Sequence, residues 1–201
     1  MVLPESISEK LNKAGVTNMP YDVTIKGWMF EEELQIVENL AKEVPKNGVI
    51  VEVGSLFGRS AICWAMSADP TATVYCYDPF YTAIQDQEGN YLDSWQVFQE
   101  NTSKFNNIVP VRGHCPQETQ YVDSRLIDVF FIDALHKNPT DWDIIEHFLP
   151  YIKPGGIIAG HDYSYPPEIL FPDVNDNVAR LEEMNNNKAV LNYTLWYLRK
   201  L

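Results

Sequence analysis

Apolar residues in this chain recur with two different periods. From Phe30 the positions Phe30, Leu34, Val37, Leu40, Ala41 and Val44 follow helical spacing, and Glu31, Glu32 and Glu33 fill the first turn, where acids suit the helix dipole. Pro45 and Gly48 close that helix. Val49, Ile50, Val51 and Val53 then form a nearly unbroken β-branched run, which predicts a buried strand. The run turns through Gly54-Ser55-Leu56-Phe57-Gly58 and continues into a helical stretch over residues 59–66. This strand, glycine turn and helix form the unit around which the rest of the pattern is arranged.

Further along, residues 73–77 predict a second strand ending at Asp78, and residues 80–89 show no period and predict a mobile loop near a ligand. Residues 92–105 predict a helix with Trp95, Phe98 and Phe105 facing inward. Short strands are expected at 108–112 and at 126–132, the latter ending at Asp133. Thr140-Asp-Trp-Asp offers a partial capping box for a helix whose apolar face is Trp142, Ile145, Phe148, Leu149 and Ile152. Pro154-Gly155-Gly156 should stop it, residues 157–160 should form the next strand, and His161-Asp162-Tyr163 should follow its end. A proline-rich loop, a helix over 174–184 and one or two strands within 189–199 complete the pattern, while residues 1–27 suggest only a short helix over 6–14. Alternating strands and helices of this kind predict an α/β fold: a doubly wound, mostly parallel sheet with an antiparallel C-terminal strand and helices on both faces. The expected organisation is one domain over 1–201, with 1–47 as a helical cap or lid and 48–201 as the core.

Composition narrows the function. With 201 residues, 45% of them apolar, the chain can bury a sizeable core. Its 15 Lys plus Arg stand against 28 Asp plus Glu, a formal charge of -13, which opposes a broad contact with a phosphate backbone. The absence of a long apolar run predicts no signal peptide and no membrane partner. Cys63, Cys76 and Cys115 have no metal-type spacing, which predicts reduced, packed thiols and a cytoplasmic location.

The glycine turn is G-x-x-x-G and lacks the G-x-G-x-x-G of dinucleotide binders. Glu52 lies two residues before Gly54, where a carboxylate would repel a pyrophosphate and attract an ammonium group. In doubly wound sheets ligands bind beyond the carboxyl ends of the strands. Those ends carry Glu52 with Gly54, Asp78, His114 with Cys115, Asp133 with His136, and His161 with Asp162. The motif E-x-G-x-x-x-G, the segments VEVGSLFGRS and YDPF, and the stretch LIDVFFIDALHKNPTDWDIIEHFLPYIKPGGIIAGHDY are similar to class I S-adenosylmethionine-dependent methyltransferases. The likeness is to bacterial small-molecule and sugar O-methyltransferases, and it spans residues 48–163.

The resemblance implies S-adenosylmethionine as cofactor. Gly54, Ser55 and Gly58 would then lie against its methionine part, Glu52 would support the ammonium or a nearby bound water, Asp78 would hold the ribose hydroxyls, and His114 and Cys115 would border the adenine. Asp133 is expected to serve both cofactor and catalysis. Related enzymes hold Mg²⁺ with carboxylates at the fourth and fifth strand ends, which here gives Asp133, His161 and Asp162; His161 stands where an acid is usual, and imidazole suits softer metals. His136 matches the position of a basic residue and is the candidate general base. The expected reaction is methyl transfer to a small-molecule acceptor, most simply a hydroxyl. A non-catalytic S-adenosylmethionine-binding protein is the competing expectation, and the oligomeric state, a homodimer included, stays open. A nicotinamide-dependent oxidoreductase is opposed by the turn, and a nucleic-acid methyltransferase by the charge.

Overall fold

The computed structural model describes residues 21–81, 84, 85, 89, 91–165 and 170–201. The helix expected over 6–14, part of the loop over 80–89 and the proline-rich stretch over 166–169 lie outside them.

Helix α1 (Glu31–Ala41) leads into β1 (Val49–Val53), α2 (Arg59–Ser67) and β2 (Thr73–Asp78). Helix α3 (Ser94–Thr102), β3 (Ile108–Arg112), β4 (Ile127–Ile132) and α4 (Thr140–Phe148) follow, then β5 (Ile152–Gly160), α5 (Pro172–Asn185), β6 (Val190–Asn192) and β7 (Leu195–Arg199). The sheet order is β3-β2-β1-β4-β5-β7-β6; the first five strands run parallel, and β7 is antiparallel to β5 and β6. This is the mixed sheet expected from the sequence. Among the described residues no helix is long and apolar enough to cross a membrane.

Strand alternation divides the core between the two faces of the sheet. Ile50, Val129 and Phe131 pack under α1 and α2 with Leu34, Val37, Ala61 and Trp64. Val51, Phe130 and Ile132 pack under α4 and α5 with Ile145, Phe148, Val178 and Leu181. Every residue of β1 and β4 is buried, which explains why both read as continuous apolar runs.

Two local expectations change. Thr140 opens α4 rather than capping it: Asn138 Oδ1 accepts from Trp142 N at 3.3 Å, and Asp141 Oδ1 accepts from Leu135 N at 3.2 Å. Ile152 belongs to β5 instead of the preceding helix, which ends in a 3₁₀ turn at Leu149–Tyr151. The Lys153-Pro-Gly-Gly stretch is therefore an irregularity inside β5, where the register jumps from Ile127↔Ile152 to Val129↔Ile157. At the amino-terminal edge of the sheet, Asp128 Oδ2 accepts from Val49 N at 2.8 Å while Oδ1 pairs with Lys153, tying the starts of three strands together.

The chain crosses from one side of β1 to the other between β3 and β4, so the carboxyl ends of β1 and β4 diverge into helices on opposite faces. Gly54 sits at that divergence with φ +95°, and a Cβ there would lie 1.8 Å from the carbonyl oxygen of Asp133. Gly155 has φ +76° but open space around it. Gly54→Ala should accordingly cost at least ~3 kcal/mol in urea unfolding, because backbone must move as well as twist, whereas Gly155→Ala should cost only about 1–2 kcal/mol of left-handed strain. Equal losses at the two positions would show that the close approach to Asp133 is unimportant.

Candidate active site

Two cavities meet at the Gly54–Asp133 contact. One, of about 340 Å³, runs along the ends of β1 to β3 and is lined by Tyr77, Asp78, His114, Cys115, Leu135 and Ile144 among others. The other, of about 390 Å³, lies over the glycine turn and is bounded by Lys26, Ser55, Arg59, His136, Asp162 and Phe171 among others. Trp28, Gly54, Leu56, Asp133 and Ala134 border both.

Asp78 is nearly buried at the floor of the first cavity. Its Oδ2 accepts from Leu56 N at 2.9 Å and its Oδ1 from Phe80 N at 2.6 Å, leaving lone pairs on each oxygen for a ligand. Burial raises its pKa despite these N–H bonds, which favour the charged form. Leu56 and Phe80, which supply the N–H groups, both have positive φ, at 45° and 53°. His136 and Asp162 share the left-handed region, at 58° and 63°. Non-glycine residues in this conformation are strained, and four of them ring the strand ends. Above Asp78, the Tyr81 hydroxyl meets His114 Nε2 at 3.0 Å.

Two of the expected cofactor residues sit away from both cavities. Glu52 lines neither cavity: strand alternation turns it to the α1–α2 side, where it is 0% exposed and accepts from Ser55 Oγ at 2.6 Å. Burial pushes its pKa up to about 7, against the hydroxyls of Ser55 and Ser60, which favour the charged form. Its visible role is to hold the turn from below. Gly58 also lines neither cavity. It precedes α2 with φ +87°, and a Cβ there would meet Thr102 and Phe98.

The fourth and fifth strand ends converge, in a different arrangement from the expected one. His136 Nε2 lies 3.1 Å from Asp133 Oδ1 and 2.9 Å from Asp162 Oδ2. Ligand atoms of Asp133, His136 and Asp162 fall within 4.8 Å of one another, so His136 replaces His161 as the third candidate metal ligand. His161 is 4% exposed and turns its Nε2 to Glu33 Oε2, 3.0 Å away. His161 Nδ1 is 3.2 Å from Asp162 Oδ2 but out of line for a hydrogen bond. Burial alone would lower the pKa of His136, yet the two carboxylates outweigh it and raise the value to about 10. The two carboxylates therefore favour the protonated form of the candidate base. His161 is likewise raised to about 10 by Asp162 and Glu33 against the opposing effect of burial.

A family model described as a methyltransferase domain matches residues 51–163, more than half of the chain. The protein belongs to this methyltransferase family. No curated protein matches it in sequence. Among solved structures, the O-methyltransferase NovP aligns at 16% identity over 85% of this chain and 80% of its own, with a TM-score of 0.64. A SAM-dependent O-methyltransferase from Thermotoga maritima aligns at 13% identity over 100% and 72%, TM-score 0.62. An rRNA methylase from Streptococcus thermophilus aligns at 19% over 87% and 99%, TM-score 0.60. At these identities the likeness is one of fold. Membership of the methyltransferase family implies S-adenosylmethionine as methyl donor.

Of the expected cofactor residues of the methyltransferase, Gly54, Ser55, Asp78, His114, Cys115 and Asp133 line the paired cavities. The expected cap over 1–47 contains Lys26, Gly27, Trp28 and Met29, which wall the second cavity, but the sequence singled out none of them, nor Arg59, whose NH1 donates to Gly27 O at 3.0 Å. Trp28, 71% exposed beside both cavities, belongs to no periodic element. Its signal was only a large aromatic in a stretch without apolar rhythm.

The histidines set a pH dependence of stability. Their folded pKa values of about 10 exceed the ordinary 6.5, so the stabilisation is complete below about pH 6.5 and is lost as pH rises towards 10. Urea unfolding should show stability declining between pH 6.5 and 8.5, with roughly 1–2 kcal/mol of that decline absent from His136→Gln. An identical slope in the variant would show that His136 is not held charged.

Proposed function

We propose that the protein transfers the methyl group of S-adenosylmethionine to a hydroxyl of a small acceptor. The observation that carries this reading is the junction at Asp133, where a slot with an acid on its floor meets a cavity ending in a histidine between two carboxylates. When bound, the cofactor supplies an already activated methyl group, so the chain's task is alignment and charge placement.

The first cavity fits an adenosine. Tyr77, Pro79, Cys115, Leu135 and Ile144 offer walls for a flat ring, and the free lone pairs of Asp78 suit a ribose diol. In the second cavity Ser55 and the Gly54 backbone would lie beside an amino-acid end, with Arg59 and Lys26 as cationic partners for its carboxylate. The acceptor hydroxyl would lie against Asp133, where His136 donates to its oxygen and Asp133 receives its proton. A positive His136 favours the oxygen as negative charge develops there. The charge of -13 supports a small acceptor over a nucleic acid, and three free, buried cysteines support a cytoplasmic setting.

A bound divalent cation is a second reading, favoured by the convergence of Asp133, His136 and Asp162. Two carboxylates and an imidazole fit a transition metal better than Mg²⁺. These side chains would hold the ion and orient the acceptor beside it.

Calorimetry separates the parts of the cofactor. S-adenosylhomocysteine should bind and NAD should not. Asp78→Ala should weaken S-adenosylhomocysteine binding by about 1.5–3 kcal/mol. Arg59→Met should weaken it by roughly 1–2 kcal/mol while leaving methylthioadenosine, which lacks the carboxylate, unaffected. Binding of NAD as tight as that of S-adenosylhomocysteine would reject the cofactor assignment. Tight binding without methylation of any hydroxylated acceptor would favour a non-catalytic binding protein.

The pH profile of turnover tests the role of His136. As an imidazolium donor it should sustain activity through neutral pH, with a fall as pH passes about 10. A rise in turnover that follows loss of the His136 proton would restore the general-base role.

A further inference from the structure

Glu33 is a fully buried carboxylate on the first turn of α1, where the sequence pattern accounted for the acids by the helix dipole. Burying a charged carboxyl is costly unless its oxygens are satisfied. Here Oε2 accepts from Phe30 N at 2.8 Å and contacts His161 Nε2 at 3.0 Å, while Oε1 accepts from Thr194 N at 3.0 Å and Thr194 Oγ1 at 2.7 Å. Capping Phe30 N alone would not require a buried position. The remaining contacts reach 128 and 161 residues along the chain, to the end of β5 and to the β6–β7 connection.

Beyond His161 the contacts continue to the reacting corner. His161 Nδ1 is 3.2 Å from Asp162 Oδ2, which in turn is 2.9 Å from His136 Nε2, which is 3.1 Å from Asp133 Oδ1. The backbone on either side of Asp162 is pinned, with His161 N donating to Ile132 O at 3.1 Å and Tyr163 N to Thr194 O at 2.9 Å. Asp162 itself is held in the left-handed region between these anchors. Its carboxylate faces the His161 ring at 3.2 Å, a contact of charge and close packing and not a hydrogen bond, and that ring is gripped from behind by Glu33 and by Thr194 Oγ1, 2.9 Å from Nε2.

We propose that Glu33 is a positioning residue of the active site: by fixing the His161 ring it aims the Asp162 carboxylate at His136 and so shapes the corner where the acceptor reacts. Glu33 lines neither cavity. A glutamine could satisfy Thr194 or Phe30 but would supply no negative charge to hold the imidazole. The catalytic part of this inference rests on the methyl-transfer reading above; the geometric part does not.

The test compares Glu33→Gln and His161→Gln with Leu34→Ala, a fully buried change on the same helix that removes packing but none of these contacts. Crystal structures of Glu33→Gln and His161→Gln should show the Asp162 carboxylate turned out of hydrogen-bond reach of His136, while Leu34→Ala should keep it. Calorimetry should give S-adenosylhomocysteine affinity within ~3-fold of wild type for all three, and kcat for an accepted hydroxyl compound should fall at least ~10-fold in the first two only. Should Glu33→Gln fail to fold, His161→Gln decides, since it leaves the Phe30 and Thr194 bonds of Glu33 in place. Asp162 remaining on His136 in either folded variant would overturn the proposal. A wild type that methylates no hydroxyl would reject the proposed reaction, while the crystal structures would still decide the positioning role.

Discussion

The carbonyl oxygen of Asp133 occupies the space where a side chain on Gly54 would begin. That single approach of backbone to backbone makes the first turn of the fold lie against the fourth strand end. It also draws the line between the two cavities, because both residues border each of them. A glycine in this turn is usually credited to the ligand. Here the tightest constraint comes from within the protein, and the ligand space is what remains on either side of the contact. Glu52 serves the same end from beneath, through Ser55.

A second constraint is electrostatic. Glu33, Asp162 and Asp133 alternate with His161 and His136, so each imidazole stands between carboxylates. Pairing offsets the desolvation that burial imposes on either sign alone. The chain of contacts begins in the packed interior at Glu33 and ends at the half-exposed edge of the cavities. The inner members are thus the more buried and the outer ones the more accessible.

Much of the fold was legible because buried parallel strands are unmistakable in composition: β1 and β4 are apolar at nearly every position. The acids and histidines at their ends were legible for the same reason, being polar residues at fixed places beside apolar runs. What the sequence left open was direction. Strand parity turned Glu52 away from the cavities, and a left-handed backbone at His136 and Asp162 brought together two side chains whose pairing no spacing encodes. His161 and Asp162 are neighbours in sequence and divide the work, one facing Glu33 and the other His136. The Lys26–Met29 stretch fell within the expected cap, but which of its residues wall the cavity was not legible, because the stretch has no periodicity and its position depends on where α1 docks.

That docking has a consequence for exchanging parts between proteins of this architecture. The residues that wall the second cavity, Lys26 to Met29, run directly into the turn whose Phe30 N bonds Glu33. Wall and anchor are thus one short piece of chain. Transplanting a new wall onto this scaffold to change what enters the cavity would bring a foreign join within a few residues of the buried carboxylate. A modular exchange would have to carry α1 with it, together with a matching partner for His161 and Thr194, because the boundary of the exchangeable unit is set by these contacts and lies beyond the surface loop.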